Sequence, residues 1–139
     1  MEKAVIDTDL YVDWINAGRH EDLLVQRPFL RYMSTVVLME LRAGASRQTD
    51  RVLVQRLYNT FARTGRLLNP SPAVFWEAGR VLLLLQRSFH YELKKRFRII
   101  NDVLIALTCR QVGATLISRN VKDFKTIQRI VPFQLIAIE

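Results

Sequence analysis

Apolar and polar residues alternate in blocks along the chain. Ala4-Val5-Ile6 is a short apolar run ending in a carboxylate. It predicts a buried strand over Lys3–Asp7, followed by a helix from about Asp9 to Ala17 that Gly18 closes. A second short helix fits Glu21–Gln26, before Pro28. The β-branched run Ser34–Val37 predicts a second strand leading straight into a helical segment, Leu38–Gly44. Leu53, Val54, Leu57, Tyr58 and Phe61 have the spacing of an amphipathic helix over Thr49–Arg63. A third strand is expected at Arg66–Leu68, before the chain-breaking Pro70-Ser71-Pro72. A helix then runs from Pro72 or Ala73 to Phe89, and another from Ile100 to Val112, with Asn101 or Asp102 near its start and Gly113 as its stop. Thr115–Ser118 reads as a strand, Val121–Thr126 as a short helix and Gln134–Ile138 as a last strand. Short apolar strands alternating with helices predict an α/β fold: a short parallel sheet of four to five strands with helices on both faces. In such sheets ligands bind at the carboxyl ends of the strands, near the switch in strand order.

Composition narrows the class. The chain has 139 residues, 50% hydrophobic and 24% charged, a globular balance that excludes a disordered tail. The length suits one domain over residues 1–139. No apolar run approaches the ~20 residues that span a bilayer. Glu2, Asp7, Asp9 and Asp13 stand where a signal peptide would be basic and then apolar. Cys109 is the single cysteine, so no intramolecular disulfide forms. A cytoplasmic protein without a membrane role is expected.

Charge is unevenly spread around a net of +8. Residues 1–22 hold six acids and two bases, whereas 42–66 and 80–98 each hold six bases and one acid. This basicity suits a polyanionic partner such as nucleic acid; a merely solvated basic surface is the alternative.

Four acids fall in or beside apolar segments. Asp7 ends the first strand, Glu40 follows Thr35-Val36-Val37-Leu38-Met39, Asp102 sits between Ile99-Ile100 and Val103-Leu104-Ile105, and Asp123 lies just past Thr115–Ser118. Clustered buried carboxylates repel one another and resist ionisation. A divalent cation removes that penalty, and all-oxygen ligands suit magnesium or manganese. Each acid also has a local explanation: Asp7, Asp9, Asn101 or Asp102 as helix caps, Glu40 as a first-turn glutamate favoured by the helix dipole, and Asp123 as a surface residue.

These fragments resemble the PIN-domain family, of the kind found as the toxin in VapBC toxin–antitoxin pairs. The matching pieces are Val5-Ile6-Asp7-Thr8-Asp9, Ser34 to Leu41, Asn101-Asp102-Val103-Leu104-Ile105-Ala106-Leu107, and Leu116-Ile117-Ser118-Arg119-Asn120-Val121-Lys122-Asp123-Phe124. The resemblance implies a magnesium- or manganese-dependent endoribonuclease with Asp7, Glu40 and Asp102 as its first three acids. Asp123 takes the fourth position, with Asn120 in the ligand sphere or just behind it. Asp9 and Ser118 support the site, Ser118 replacing the more usual threonine. The segment Tyr91–Arg98 is more basic than the family's pattern.

The chemistry accords with the residue types. Phosphodiester hydrolysis sets hydroxide against an anionic phosphorus, and carboxylate-held cations lower that barrier without a histidine. His20 falls in a turn and His90 at a helix end, and Cys109 reads as a packed thiol. Arg42, Arg47, Arg119 and Lys122 lie nearest the acids in sequence and are candidates for RNA phosphate contacts; the alternative is solvated helix surface. Val74, Ala78, Val81, Leu85 and Phe89 form one apolar stripe, which Phe75, Trp76 and Leu82 widen. This suggests a partner surface as well as a core, or else a central helix. The resemblance implies a homodimer and a small antitoxin whose tail covers the active site. A catalytically silent PIN-like scaffold that binds RNA or protein is the competing reading. A DNA-binding repressor is disfavoured by the lack of a clear helix-turn-helix segment.

Overall fold

The computed structural model describes residues 1–138; Glu139, the last residue of the expected domain, lies outside them. Five short parallel strands form one sheet: β1 (Lys3–Ile6), β2 (Leu30–Ser34), β3 (Leu67–Leu68), β4 (Thr115–Ser118) and β5 (Leu135–Ala137). Their order is β3-β2-β1-β4-β5. Ala4, Val5 and Ile6 are all buried, as is every residue of β4. Successive strand residues face opposite sides, so helices must cover both faces, as the apolar runs predicted.

The helices are α1 (Thr8–Ala17), α2 (Thr35–Gly44), α3 (Gln48–Arg63), α4 (Pro72–Phe89), α5 (Arg98–Val112) and α6 (Val121–Gln128). Gly18 closes α1 and Gly113 closes α5, each with positive φ, where glycine carries no steric penalty. The expected short helix before Pro28 is a single π turn, Asp22–Gln26. Ser71 caps α4 by accepting from the Val74 amide, and Pro72 occupies its first turn. α5 is the most deeply buried helix, with Ile99 and the whole run Asp102–Cys109 out of solvent.

Of the boundaries that differ from expectation, two matter for the site. Thr35-Val36-Val37 is helical, not extended; β2 ends at Ser34, whose hydroxyl accepts from the Val36 and Val37 amides. That cap outweighs the modest strand preference of three β-branched residues. Glu40 therefore lies in the second turn of α2, beyond the first-turn position where the dipole would explain it. Likewise α5 starts at Arg98, with Phe97 before it and no side-chain cap. Asp102 is thus a full turn inside the helix and caps nothing.

The chain runs from β1 outward through β2 to β3, then crosses back to place β4 on the other side of β1. The strand order switches between β1 and β4, whose register pairs Ile6 with Ile117. The residues immediately after that pair, Asp7 and Ser118, open the crevice where such sheets bind ligands.

Candidate active site

Asp7 leaves β1 and N-caps α1; its Oδ1 accepts from the Thr8 amide at 2.9 Å. Asp7 is therefore a helix cap, and the cap engages one of its two oxygens. Its Oδ2 accepts from the Ser118 hydroxyl at 2.7 Å. Ser118 in turn accepts from the Asn120 amide at 2.9 Å, so the end of β4 is tied to the carboxylate at the end of β1. Glu40 reaches over from α2. The Thr8 hydroxyl donates to its Oε1 at 2.6 Å, and Asn101 Nδ2 lies 3.4 Å from its Oε2. Asp102, 8% exposed, accepts from Asn120 Nδ2 at 3.1 Å.

Asp7, Glu40, Asp102 and Asn120 line one cavity of about 240 Å³ with Asp9, Arg98, Arg119 and Asp123. Burial dominates its electrostatics. The Asp7 carboxyl is pushed up to about 6, with repulsion from Asp9 and Glu40 adding and the Ser118 and Thr8 hydrogen bonds opposing. Asp102 is pushed up to about 8 by burial and then by the charges of Asp7, Asp123 and Glu40, against the pull of Arg98. Two carboxyls that resist ionisation side by side mark a site short of positive charge. Among the described residues, no three His, Cys, Asp or Glu side chains are grouped so as to hold an ion where they stand. The donor set is nonetheless all oxygen, and Glu40 is only half-buried.

Asp123 shares the cavity but is partly committed. Its Oδ1 accepts from the Tyr91 hydroxyl at 2.7 Å and from Arg96 at 2.5 Å. The Arg96 guanidinium also lies 4.5 Å from the centre of the Tyr91 ring. Asp9 pairs with Arg98 at 3.5 Å.

The four expected RNA-contacting cations scatter. Arg119 lines the cavity and is paired with Asp13, which His20 also contacts. Arg47 is held by Asp50 and Asn16. Arg42 lines a separate groove of about 640 Å³ between α2 and α3, with Leu38, Met39, Val54 and Tyr58. Lys122 is exposed on α6. Sequence reasoning passed over Thr8, Tyr91, Arg96 and Arg98. A hydroxyl directly after Asp7 was a readable signal for Thr8; the other three lie on the basic segment that departs from the family pattern.

Cys109 is fully enclosed, and burial pushes its thiol up, which leaves it neither nucleophile nor ligand. His20 and His90 both adopt positive φ, one in a turn and one ending α4, away from the cavity lining. No helix among the described residues is long and apolar enough to cross a membrane.

Comparison with known proteins bears on the fold and the family. No curated protein sequence matches the chain. Among solved structures, the fold is similar to a chain of VapBC2 from Rickettsia felis bound to a promoter DNA fragment, with 24% identity, TM-score 0.69 and 99% of each chain covered. It is also similar to DNA-bound VapBC from Salmonella typhimurium, at 19% identity and TM-score 0.67 over 99% of this chain and 98% of that one. VapBC-5 from Mycobacterium tuberculosis has 20% identity and TM-score 0.64, over 99% of this chain and 100% of that one. Residues 4–130 match the PIN domain, the whole span from β1 past α6 that builds the acidic crevice, and the chain belongs to the PIN-domain family.

Proposed function

We propose that the chain is a magnesium- or manganese-dependent endoribonuclease and the toxin of a VapBC-type toxin–antitoxin pair. The observation that carries this reading is the convergence of Asp7, Glu40 and Asp102 on one crevice at the strand-order switch, with Asp7 and Asp102 resisting ionisation there. Carboxylate oxygens without histidine or thiolate fit a hard cation, and a cation would relieve the repulsion that burial creates. Asp7, Glu40 and Asp102 would hold it, with Asp123 offering its Oδ2, the oxygen opposite the one Tyr91 and Arg96 engage. When bound, such an ion supplies an acidified water and neutralises charge on the phosphate.

The protein's own part is orientation. Ser118 fixes Asp7, Thr8 and Asn101 fix Glu40, and Asn120 fixes Asp102. Hydrogen bonds of this kind orient ligands, and losing one typically costs about 10–100-fold in metal affinity or activity. The two basic segments, 42–66 and 80–98, favour a nucleic-acid substrate over a small acidic one.

The likeness to VapBC structures supports a small antitoxin as partner, and the apolar, arginine-edged α2–α3 groove gives such a protein a place to dock. A homodimer is supported by α4, whose outer face exposes Phe75, Trp76 and Leu83. The competing reading, a silent RNA- or protein-binding scaffold, draws on the lack, among the described residues, of three such side chains grouped to hold an ion as they stand. RNA cleavage by the purified chain with magnesium or manganese, compared with Asp7→Asn, Glu40→Gln and Asp102→Asn, decides between them.

A further inference from the structure

We propose that Arg98, the first residue of α5, is the phosphate-contacting residue of this crevice, released from Asp9 to grip the backbone of the bound RNA. The inference rests on the nuclease reading and adds to it the residue that seats the substrate.

Three arginines stand at the crevice, and their partners differ. Arg96 is held by Asp123 and stacked on Tyr91. Arg119 is held by Asp13, itself braced by His20. Arg98 has one contact at the limit of a hydrogen bond, 3.5 Å to Asp9 Oδ1, and its side chain is 63% exposed. Of the three it is the one free to exchange its partner for another anion. Its position suits the task. Arg98 precedes Asn101 by three residues and Asp102 by four, so all three share one face of α5. The cation thus rises from the same helical face that sends Asp102 into the cavity. The charges of Asp9, Glu40 and Asp102 all act to keep it protonated.

A negative crevice repels RNA, and a cation on its rim is what lets a phosphate approach. Guanidinium suits this because its planar fork meets two phosphate oxygens at once, which an ammonium does not. The candidate cations chosen by nearness in sequence do not compete well: Arg42 faces the α2–α3 groove and Arg47 is doubly engaged.

The test compares the parent with Arg98→Ala, Arg98→Lys and a distant charge-removal control, Lys3→Ala, exposed at the amino end of β1, the sheet end away from the crevice. Binding of a labelled single-stranded RNA is measured in EDTA, where no cleavage occurs, across a salt series. Arg98→Ala should bind about tenfold more weakly. Its log–log salt slope should fall by roughly 0.7, the share of one phosphate on a single strand. Arg98→Lys should recover the slope and only part of the affinity, and Lys3→Ala should match the parent. A manganese titration followed by thermal melting should show Arg98→Ala binding the ion more tightly, since a competing charge has gone. Arg98→Ala binding RNA like the parent, or a parent that binds no RNA, overturns the assignment. A parent that binds RNA through Arg98 but never cuts it would leave the assignment standing and remove the nuclease reading. A parent that cuts RNA with Arg98→Ala unimpaired would do the reverse.

Discussion

The Ser118 hydroxyl donates to Asp7 Oδ2 at 2.7 Å across the two central strands, one residue beyond the Ile6–Ile117 pair. This bond sits at the point where strand order reverses and holds the first carboxylate of the site in place. It favours the ionised form and so opposes the burial that pushes Asp7 up to about 6. Ser118→Ala should move the pH midpoint for metal-induced stabilisation upward and lower cleavage about 10–100-fold. Thermal melts with manganese at a series of pH values read the midpoint. An unchanged midpoint would mean that Ser118 does not tune Asp7.

Asp102 provides a test based on stability alone. A helix cap lost to substitution costs about 0.5–2 kcal/mol. Asp102 is no cap, and its charge is opposed by Asp7, Asp123 and Glu40. In EDTA, Asp102→Asn should therefore melt above the parent, by about 4 °C for each kcal/mol of repulsion relieved. Millimolar magnesium or manganese should stabilise the parent and move the variant much less. A variant that melts lower in EDTA and answers metal as the parent does would return Asp102 to a structural role.

The pH dependence has a definite sign. Asp7 and Asp102 titrate higher in the folded chain, at about 6 and about 8, than at their ordinary value of 3.8. The folded state then binds more protons than the unfolded one between pH 4 and 8, so stability falls as pH rises through that window. Asp13, Asp50 and Glu77 are held low by their arginine and histidine partners, so their contribution is lost only in stronger acid. The metal-free protein should melt several degrees higher at pH 5.5 than at pH 8.5. Asp102→Asn should flatten the trend, and a saturating divalent cation should reverse it. Melts in EDTA at both pH values decide this; a flat profile would mean that burial and mutual repulsion do not keep these carboxyls protonated.

The α4 face tests the assembly. Phe75 is 57% exposed and Trp76 86%, with Leu83 two turns along from Phe75 and Gly79 open between them. Solvent-facing apolar area of this kind on a helix marks a contact surface. Trp76→Arg with Leu83→Arg should halve the mass measured by sedimentation while the melting temperature changes little, since neither side chain belongs to the core. A monomeric parent, or an unaltered mass, would contradict the dimer.

Much of this site was legible because its acids announce themselves locally. Asp7 ends an apolar strand, and Asp102 is an acid in the middle of an apolar helix. The error at Ser34–Val37 came from weighing β-branched propensity over the cap that Ser34 supplies, and it hid the strand Leu30–Ser34, whose Arg31 and Tyr32 break the apolar pattern. The α5 start was misplaced for the opposite reason: Phe97 offers no capping signal, so the first polar residues inside the helix looked like its beginning. Partners such as Tyr91 and Asp123, 32 residues apart, meet only because α4, α5 and α6 pack together. No local pattern encodes that meeting, nor the choice among the three crevice arginines of the one left with a weak partner.

The most direct measurement is cleavage of a single-stranded RNA by the purified chain, with magnesium, with manganese and in excess EDTA, beside Asp7→Asn, Glu40→Gln and Asp102→Asn. Cutting should depend on either metal and stop with chelator, and each variant should lose more than about 100-fold while keeping a cooperative melt. Equal cutting in EDTA, or three variants that cut at the parent rate, would contradict a metal-dependent site built on these carboxylates.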